Sequence, residues 1–317
     1  MKPGPGILLA IAAVAVIMTS GCIGGGGIKA GNGVVILNFE PDLTGTYNSG
    51  DPAKLQLRIQ NQGEARATDV TAELAGIDVS EWAAMGAMFS RNIGDMSPYE
   101  AETNTPGAEK TITWDLEVPD LAKGIDLTYE PIVKVSYDYK TIAQKPITIV
   151  AEDELRRIQQ QGGSLPSKAT VLTGGPLSID VETKDYVKTT EEFGSYDIFP
   201  ISITITNSYG GTVIPDGFAT GFGTDTYLYP VRVKITPPDG TDFAHSGWFG
   251  DDDCTAGTIT KDLWKGKSAT ITCELRVTQP PTYRQDRYLK VELEYRYQVE
   301  AITNIPVRGT KEAGTFF

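Results

Sequence analysis

Apolar and polar positions alternate with period two through most of the chain. In Lys54 to Asn61 (KLQLRIQN), Leu55, Leu57 and Ile59 alternate with polar neighbours. This is the pattern of a strand with one face on a core and the other in water. Val34 to Phe39, Asp69 to Ala75, Thr111 to Val118, Val133 to Tyr139 and Lys145 to Val150 read the same way. Short strands separated by Gly, Pro and Asn turns over about 120 residues predict a β-sandwich.

The second half repeats the scheme. Ile112 to Val118 (ITWDLEV) matches Ile271 to Val277 (ITCELRV), and Val135 to Lys140 (VSYDYK) matches Leu293 to Gln298 (LEYRYQ). Leu57 to Asn61 likewise matches Ile203 to Asn207, each run ending in an Asn-containing turn. Three matches in the same order indicate one unit duplicated. Between the halves, Ala151 to Gln161 carries the EDELRRIQQQ core of a charged helix that stops at Gly162-Gly163, read as a solvated spacer. The expected fold is all-β, with tandem immunoglobulin-like sandwiches over 33–150 and 167–317 and a helical linker over 151–166. The alternating tyrosines Tyr137, Tyr139, Tyr295 and Tyr297 are expected to be structural.

The stretch Leu57-x-Ile59-x-Asn61-x-Gly63, followed by Ala67-Thr68-Asp69-Val70, resembles CARDB-type and related immunoglobulin-like modules of archaeal surface proteins. Ile93-Gly94-Asp95-Met96, then Gly107 and Thr113-Trp114, is similar to their later part. The resemblance covers most of the first half. The Asn207-Ser208-Tyr209-Gly210-Gly211 turn of the second half departs from it, with a long insertion before Val231. The resemblance implies adhesion, spacing or scaffolding rather than catalysis, as an analogy of fold.

The N-terminus reads as an address. Ile7 to Met18 (ILLAIAAVAVIM) is an apolar run preceded by Lys2. It is too short for a spanning helix, which needs about 20 residues, and the right length for a signal-peptide core. Thr19-Ser20-Gly21-Cys22 follows and resembles a lipobox, where a lipoprotein precursor is lipidated on cysteine and cut before it. Residues 1–21 are therefore expected to be a lipoprotein signal peptide, and 22–32 a lipidated Cys22 with a Gly-rich tether. The alternatives are an ordinary cleaved signal, or a pilin-like signal cut near Gly6 that leaves the apolar run as an assembly helix. The expected location is the cell membrane, lipid-anchored and facing outside.

Charge supports contact with lipid through the anchor alone. The chain carries 28 Lys+Arg against 41 Asp+Glu, a net of −13 with pI near 4.6, and anionic headgroups repel such a body. Nucleic acid is excluded as a partner on the same ground. Of three cysteines, Cys22 is assigned to lipid, which leaves Cys254 and Cys273. Outside the cell such a pair is expected to be bridged, the alternative being two buried thiols.

Chemistry is sparse. There is no Gly-x-Ser-x-Gly, no phosphate-binding loop and no dinucleotide fingerprint in strand–helix context. Gly221-Phe222-Gly223 reads as a loop fragment, and His245 is the one histidine of the chain. Asp251-Asp252-Asp253 is a weak calcium candidate without EF-hand spacing. Glu191-Glu192 and the group Glu100, Glu102, Glu109 read as solvated carboxylates. No enzymatic activity and no cofactor are expected.

The aromatic loops carry the functional expectation. Trp82, Met85, Met88 and Phe89 in the first half, and Phe218, Phe222, Tyr227 and Tyr229 in the second, are candidate partner-contact residues, because large rigid side chains bind at low entropic cost. The alternative is that they cap the open ends of the sandwiches. The chain is expected to be a membrane-anchored, non-enzymatic binding or scaffolding module whose partner is another surface protein. A subunit of a pilus-like filament is the first alternative, and a transporter-linked ligand-binding lipoprotein the second.

Overall fold

The computed structural model describes residues 32–82, 89–190, 197–215, 228–244 and 254–312. The first half contributes β1 (Val34–Pro41), β2 (Tyr47–Asn48), β3 (Pro52–Asn61), β4 (Ala67–Ala75), α1 (Val79–Trp82), β5 (Ser90–Met96), β6 (Glu109–Glu117), β7 (Asp126–Tyr129) and β8 (Ile132–Ala151). The helix α2 (Glu152–Gln160) follows. The second half contributes β9 (Val171–Leu172), β10 (Leu177–Thr183), β11 (Val187–Thr189), β12 (Ile198–Asn207), β13 (Thr212–Ile214), β14 (Pro230–Thr236), β15 (Thr241–Phe243), β16 (Thr258–Asp262), β17 (Ser268–Val277), β18 (Arg284–Ile302) and β19 (Ile305–Arg308). The fold is an all-β sandwich.

The halves are fused through one sheet. β8 and β18 pair antiparallel from Ile132↔Ile302 to Val150↔Arg284, so a single sheet runs β16-β14-β18-β8-β4-β5. Odd-numbered residues of both long strands face inward, from Val133 to Ile149 and from Leu289 to Val299. Two smaller sheets, β1-β3-β6 and β10-β12-β17-β15, cover that face and share one continuous apolar core with it. Most even-numbered residues form a solvated outer face crossed by ion pairs, such as Lys140–Glu294 at 2.8 Å and Arg296–Asp138 at 2.9 Å; at the end of β8, Thr148 and Val150 are buried, Val150 against Leu155 of α2.

One expectation changes in detail. Val133 to Tyr139 and Lys145 to Val150 are not separate strands but parts of the single strand β8. Its inward positions between them are Thr141 and Ala143, too polar and too small to continue an apolar alternation. The first half breaks this path at Pro131, which has no N–H to give to the ladder. The second half runs unbroken there and breaks after Ile302.

The duplication is visible as a local twofold in the register. Tyr139 lies opposite Tyr295 and Tyr137 opposite Tyr297, so equivalent residues cross over rather than pair with themselves. Their rings form one cluster, with centroids 5.9–6.3 Å apart. Each hydroxyl ties down a neighbouring segment. Tyr137 Oη accepts from Val34 N–H at 3.2 Å, and Tyr295 Oη from Leu177 N–H at 3.3 Å. Tyr139 Oη accepts from Ala65 N–H, and Tyr297 Oη from Gly211 N–H. The alternating tyrosines thus hold β1 and β10 onto the shared sheet.

Cys254 and Cys273 are bridged, with Cα atoms 6.1 Å apart. The bridge pins a short 3-10 turn (Cys254–Ala256) to the inner face of β17. Cys254→Ser with Cys273→Ser is expected to lose about 3 kcal/mol, the chain-entropy value for a loop near this size. Urea unfolding of oxidised wild type against the variant reads the difference, and equal midpoints would show that the bridge constrains nothing.

Candidate functional site

The Asn-containing turns organise the same end of each half. Asn61 is fully buried; its Nδ2 donates to Ala65 O at 2.9 Å and Met96 O at 3.2 Å, while its Oδ1 accepts from Gly63 N–H at 3.0 Å. Asn207 repeats this, donating to Gly211 O at 2.9 Å and Gly266 O at 3.1 Å and accepting from Tyr209 N–H. A side chain on Gly63 would collide with Tyr139, since an added Cβ would sit 1.9 Å from its Oη. In the second half Tyr209 occupies that position, and the tight approach moves to Gly211, whose added Cβ would sit 2.3 Å from Gln298 O. The departure of the second turn from the first is therefore a relocation of one glycine.

What surrounds the two turns differs more. In the first half the connection from β5 to β6 runs from Ser97 to Ala108 and folds back: Tyr99 N–H donates to Gly63 O at 2.8 Å and Ala108 N–H to Ser97 O at 3.0 Å. In the second half the connection from β16 to β17 is the tight turn Leu263 to Lys267, closed by Gly266 N–H to Leu263 O at 3.0 Å. Among the described residues no segment covers this turn as Ser97 to Ala108 covers the first, and a groove of about 480 Å3 opens beside Asn207, Tyr209, Gly211, Tyr229, Lys265 and Lys267, within the size range of small-ligand sites.

Local chemistry shapes this groove. Gly266 has φ of +69°, and the Tyr229 ring lies against it, 3.2 Å from where a Cβ would be. Lys265 sits in the left-handed region at φ 51°, an uncommon position for a lysine. This turn carries Trp264 outward at 73% exposure, with Lys265 Nζ 5.7 Å from the ring centroid. Lys265 and Lys267 are both exposed. Tyr209 is half-buried, and burial pushes its phenol above the usual value. Thr206, Thr212 and Ser268 add hydroxyls to the walls.

The positions singled out from sequence are distributed as follows. Trp82 is fully buried and stands edge-on to Tyr129 at 5.0 Å between centroids, so it caps the core and offers no face to a partner. Phe89 is half-buried against the core, and its carbonyl accepts from Trp114 Nε1 at 3.2 Å. Tyr229 borders the groove. Cys22, Met85, Met88, Phe218, Phe222, Tyr227, His245, Glu191, Glu192 and Asp251 to Asp253 lie outside the described residues. Glu109 is ion-paired with Arg58 at 2.7 Å, and Glu100 and Glu102 are exposed. Among the described residues no group of His, Cys, Asp or Glu is arranged to hold a metal, and no helix is long and apolar enough to cross a membrane. Tyr209, Trp264, Lys265 and Lys267 were not singled out from sequence. The signal available was Trp-Lys-Gly-Lys at a strand connection.

A larger depression of about 690 Å3 lies near α2, lined by Leu155, Tyr186 and Phe199. Two of its charged groups are taken up within the fold: Lys188 pairs with Glu152 at 3.6 Å, and Asp197 accepts from Thr190 N–H at 2.8 Å.

No protein-family model matches the chain, and no curated protein matches it. Among solved structures it is similar to the C-terminal globular domain of an oligosaccharyltransferase from Pyrococcus abyssi, at 9% identity and TM-score 0.20, over 88% of this chain. It spans 50% of that chain's length, and a likeness this weak carries no argument about function.

Proposed function

We propose that the chain is a non-enzymatic binding and scaffolding module, held at the outer face of a cell membrane by lipid on Cys22 and presenting its sandwich body to another surface protein or surface component. The observation that carries this reading is the fusion of two sandwiches through one sheet and one core, with a groove left open at an end. A body whose halves share a core holds the surfaces of both halves in a fixed relation to each other, whereas halves joined by a linker alone would swing. The Cys254–Cys273 bridge suits an oxidising compartment. The likeness to CARDB-type surface modules, which rests on the turn motif around Asn61 and on Ile93 to Met96, Gly107 and Thr113-Trp114, supports the same reading.

Stable attachment by this route needs at least two acyl chains, since one binds membranes only marginally. Intact mass of the membrane-extracted protein, with its N-terminal peptide mapped, is expected to show a chain that starts at Cys22 and carries acyl mass. A chain that begins near Ile7 without lipid would overturn the anchor and make filament assembly the leading function.

A further inference from the structure

We infer that the groove beside Trp264 is a saccharide-binding site, and that its ligand is a short sugar chain carrying a carboxylate: Trp264 and Tyr229 stack on pyranose faces while Lys265 and Lys267 receive the acid. This deepens the binding-module reading and rests on it.

Three observations converge on this site. The first is the exposed indole. Among the described residues Trp264 is the most exposed large hydrophobic side chain, at 73%, and Tyr209 and Tyr229 stand beside the same turn. Aromatic faces carry a negative quadrupole that attracts partial positive charge, which the C–H faces of a pyranose supply. The second is charge. In a chain of net −13, Lys265 and Lys267 have no ion-pair partner among the described residues, and the Lys265 ammonium rests near the Trp264 ring instead. The left-handed backbone at Lys265 presents that ammonium beside the indole.

The third observation is that most backbone groups around the turn are already paired. Asn207 N–H donates to Lys267 O, Lys267 N–H to Trp264 O and Gly266 N–H to Leu263 O; Gly211 N–H donates to Tyr297 Oη. An extended peptide adding to a sheet edge needs a run of free backbone groups, and these bonds leave no such run in the turn. What remains is side-chain chemistry: rings, ammonium groups and the hydroxyls of Thr206, Thr212 and Ser268. That set suits a polyol with one acidic group. A long polyanion such as nucleic acid would gain two ammonium contacts and meet repulsion from the rest of the body.

The test uses the full-length protein in detergent and isothermal calorimetry with trisaccharides of galacturonate, glucuronate and mannuronate. Maltotriose serves as the uncharged control, with penta-glutamate and a short single-stranded DNA as the other occupants. At least one uronate trisaccharide is expected to bind saturably, and maltotriose at least tenfold more weakly. Trp264→Ala and the double variant Lys265→Asn/Lys267→Gln are each expected to weaken uronate binding at least tenfold. Their melting temperatures should be unchanged, because the altered side chains are exposed. Lys267→Arg is expected to retain binding. Binding of penta-glutamate or DNA as tight as that of the best uronate would overturn the assignment, as would silence of all three uronates. Because the anchor is read separately by intact mass, a lipidated protein that ignores every uronate sinks this inference alone.

Discussion

Raising the pH from about 10 to about 11.5 is expected to remove most of the protein's stability through four tyrosines at the junction of its halves. Burial pushes the phenols of Tyr139 and Tyr297 up to about 12 and raises those of Tyr137 and Tyr295 well above the ordinary value. In the unfolded chain an ordinary phenol ionises near 10. Between those values the native state binds more protons than the unfolded state, so stability is fully present below about pH 10 and falls as pH rises. Each retained proton costs roughly 1.4 kcal/mol per pH unit, hence about 2 kcal/mol per phenol at pH 11.5. Tyr139 and Tyr297 together thus account for about 4 kcal/mol, and Tyr137 and Tyr295 add to it in the same direction, against the 5–15 kcal/mol that separates typical folded and unfolded domains. Urea melts across this range, with phenolate absorbance followed on the same samples, measure it. Tyr139→Phe/Tyr297→Phe should flatten the alkaline slope even if it lowers stability at neutral pH. Ionisation of all the tyrosines near pH 10 with no loss of stability would show that the cluster is open to water.

The second large effect is expected at Asn61. Replacing it with alanine removes two donated bonds and one accepted bond in a fully buried place. The Met96 carbonyl and the Gly63 N–H then lose their side-chain partner. A buried polar group left unpaired costs about 1–3 kcal/mol, so Asn61→Ala should destabilise by about 3 kcal/mol. Asn207→Ala should cost roughly half of that, because Asn207 is only half-buried and water can replace its partners. Denaturant midpoints of the two variants decide it. Equal small losses would mean that the turns hold their shape without the amide.

These two effects fall on features with different sequence signals. The Asn61 and Asn207 turns and the tyrosine pairs were visible as repeated motifs, because each depends on local spacing: an amide that bonds two and four residues ahead, and side chains alternating along one strand. The groove was not visible. It exists because one connection, Leu263 to Lys267, is shorter than its counterpart from Ser97 to Ala108, and the effect of that shortening is felt at a turn distant in sequence. The loop aromatics show the limit from the other side. Trp82 and Tyr229 look alike as exposed-loop candidates, yet one is sealed by Tyr129 and the other borders open space.

Period-two alternation, turn residues and the internal repeat by themselves determined that this chain is all-β and built from a duplicated unit, because burying one face of a strand constrains every second residue. The same reading made a Cys254–Cys273 bridge the expectation against two buried thiols, and the structure shows the bridge. Only the tertiary structure decided that the two units share a sheet. Edge-to-edge pairing of β8 with β18 is made by backbone groups that every residue carries, so no side-chain pattern announces it. The structure alone likewise decided where a groove lies among the described residues, because a groove is set by how neighbouring connections pack.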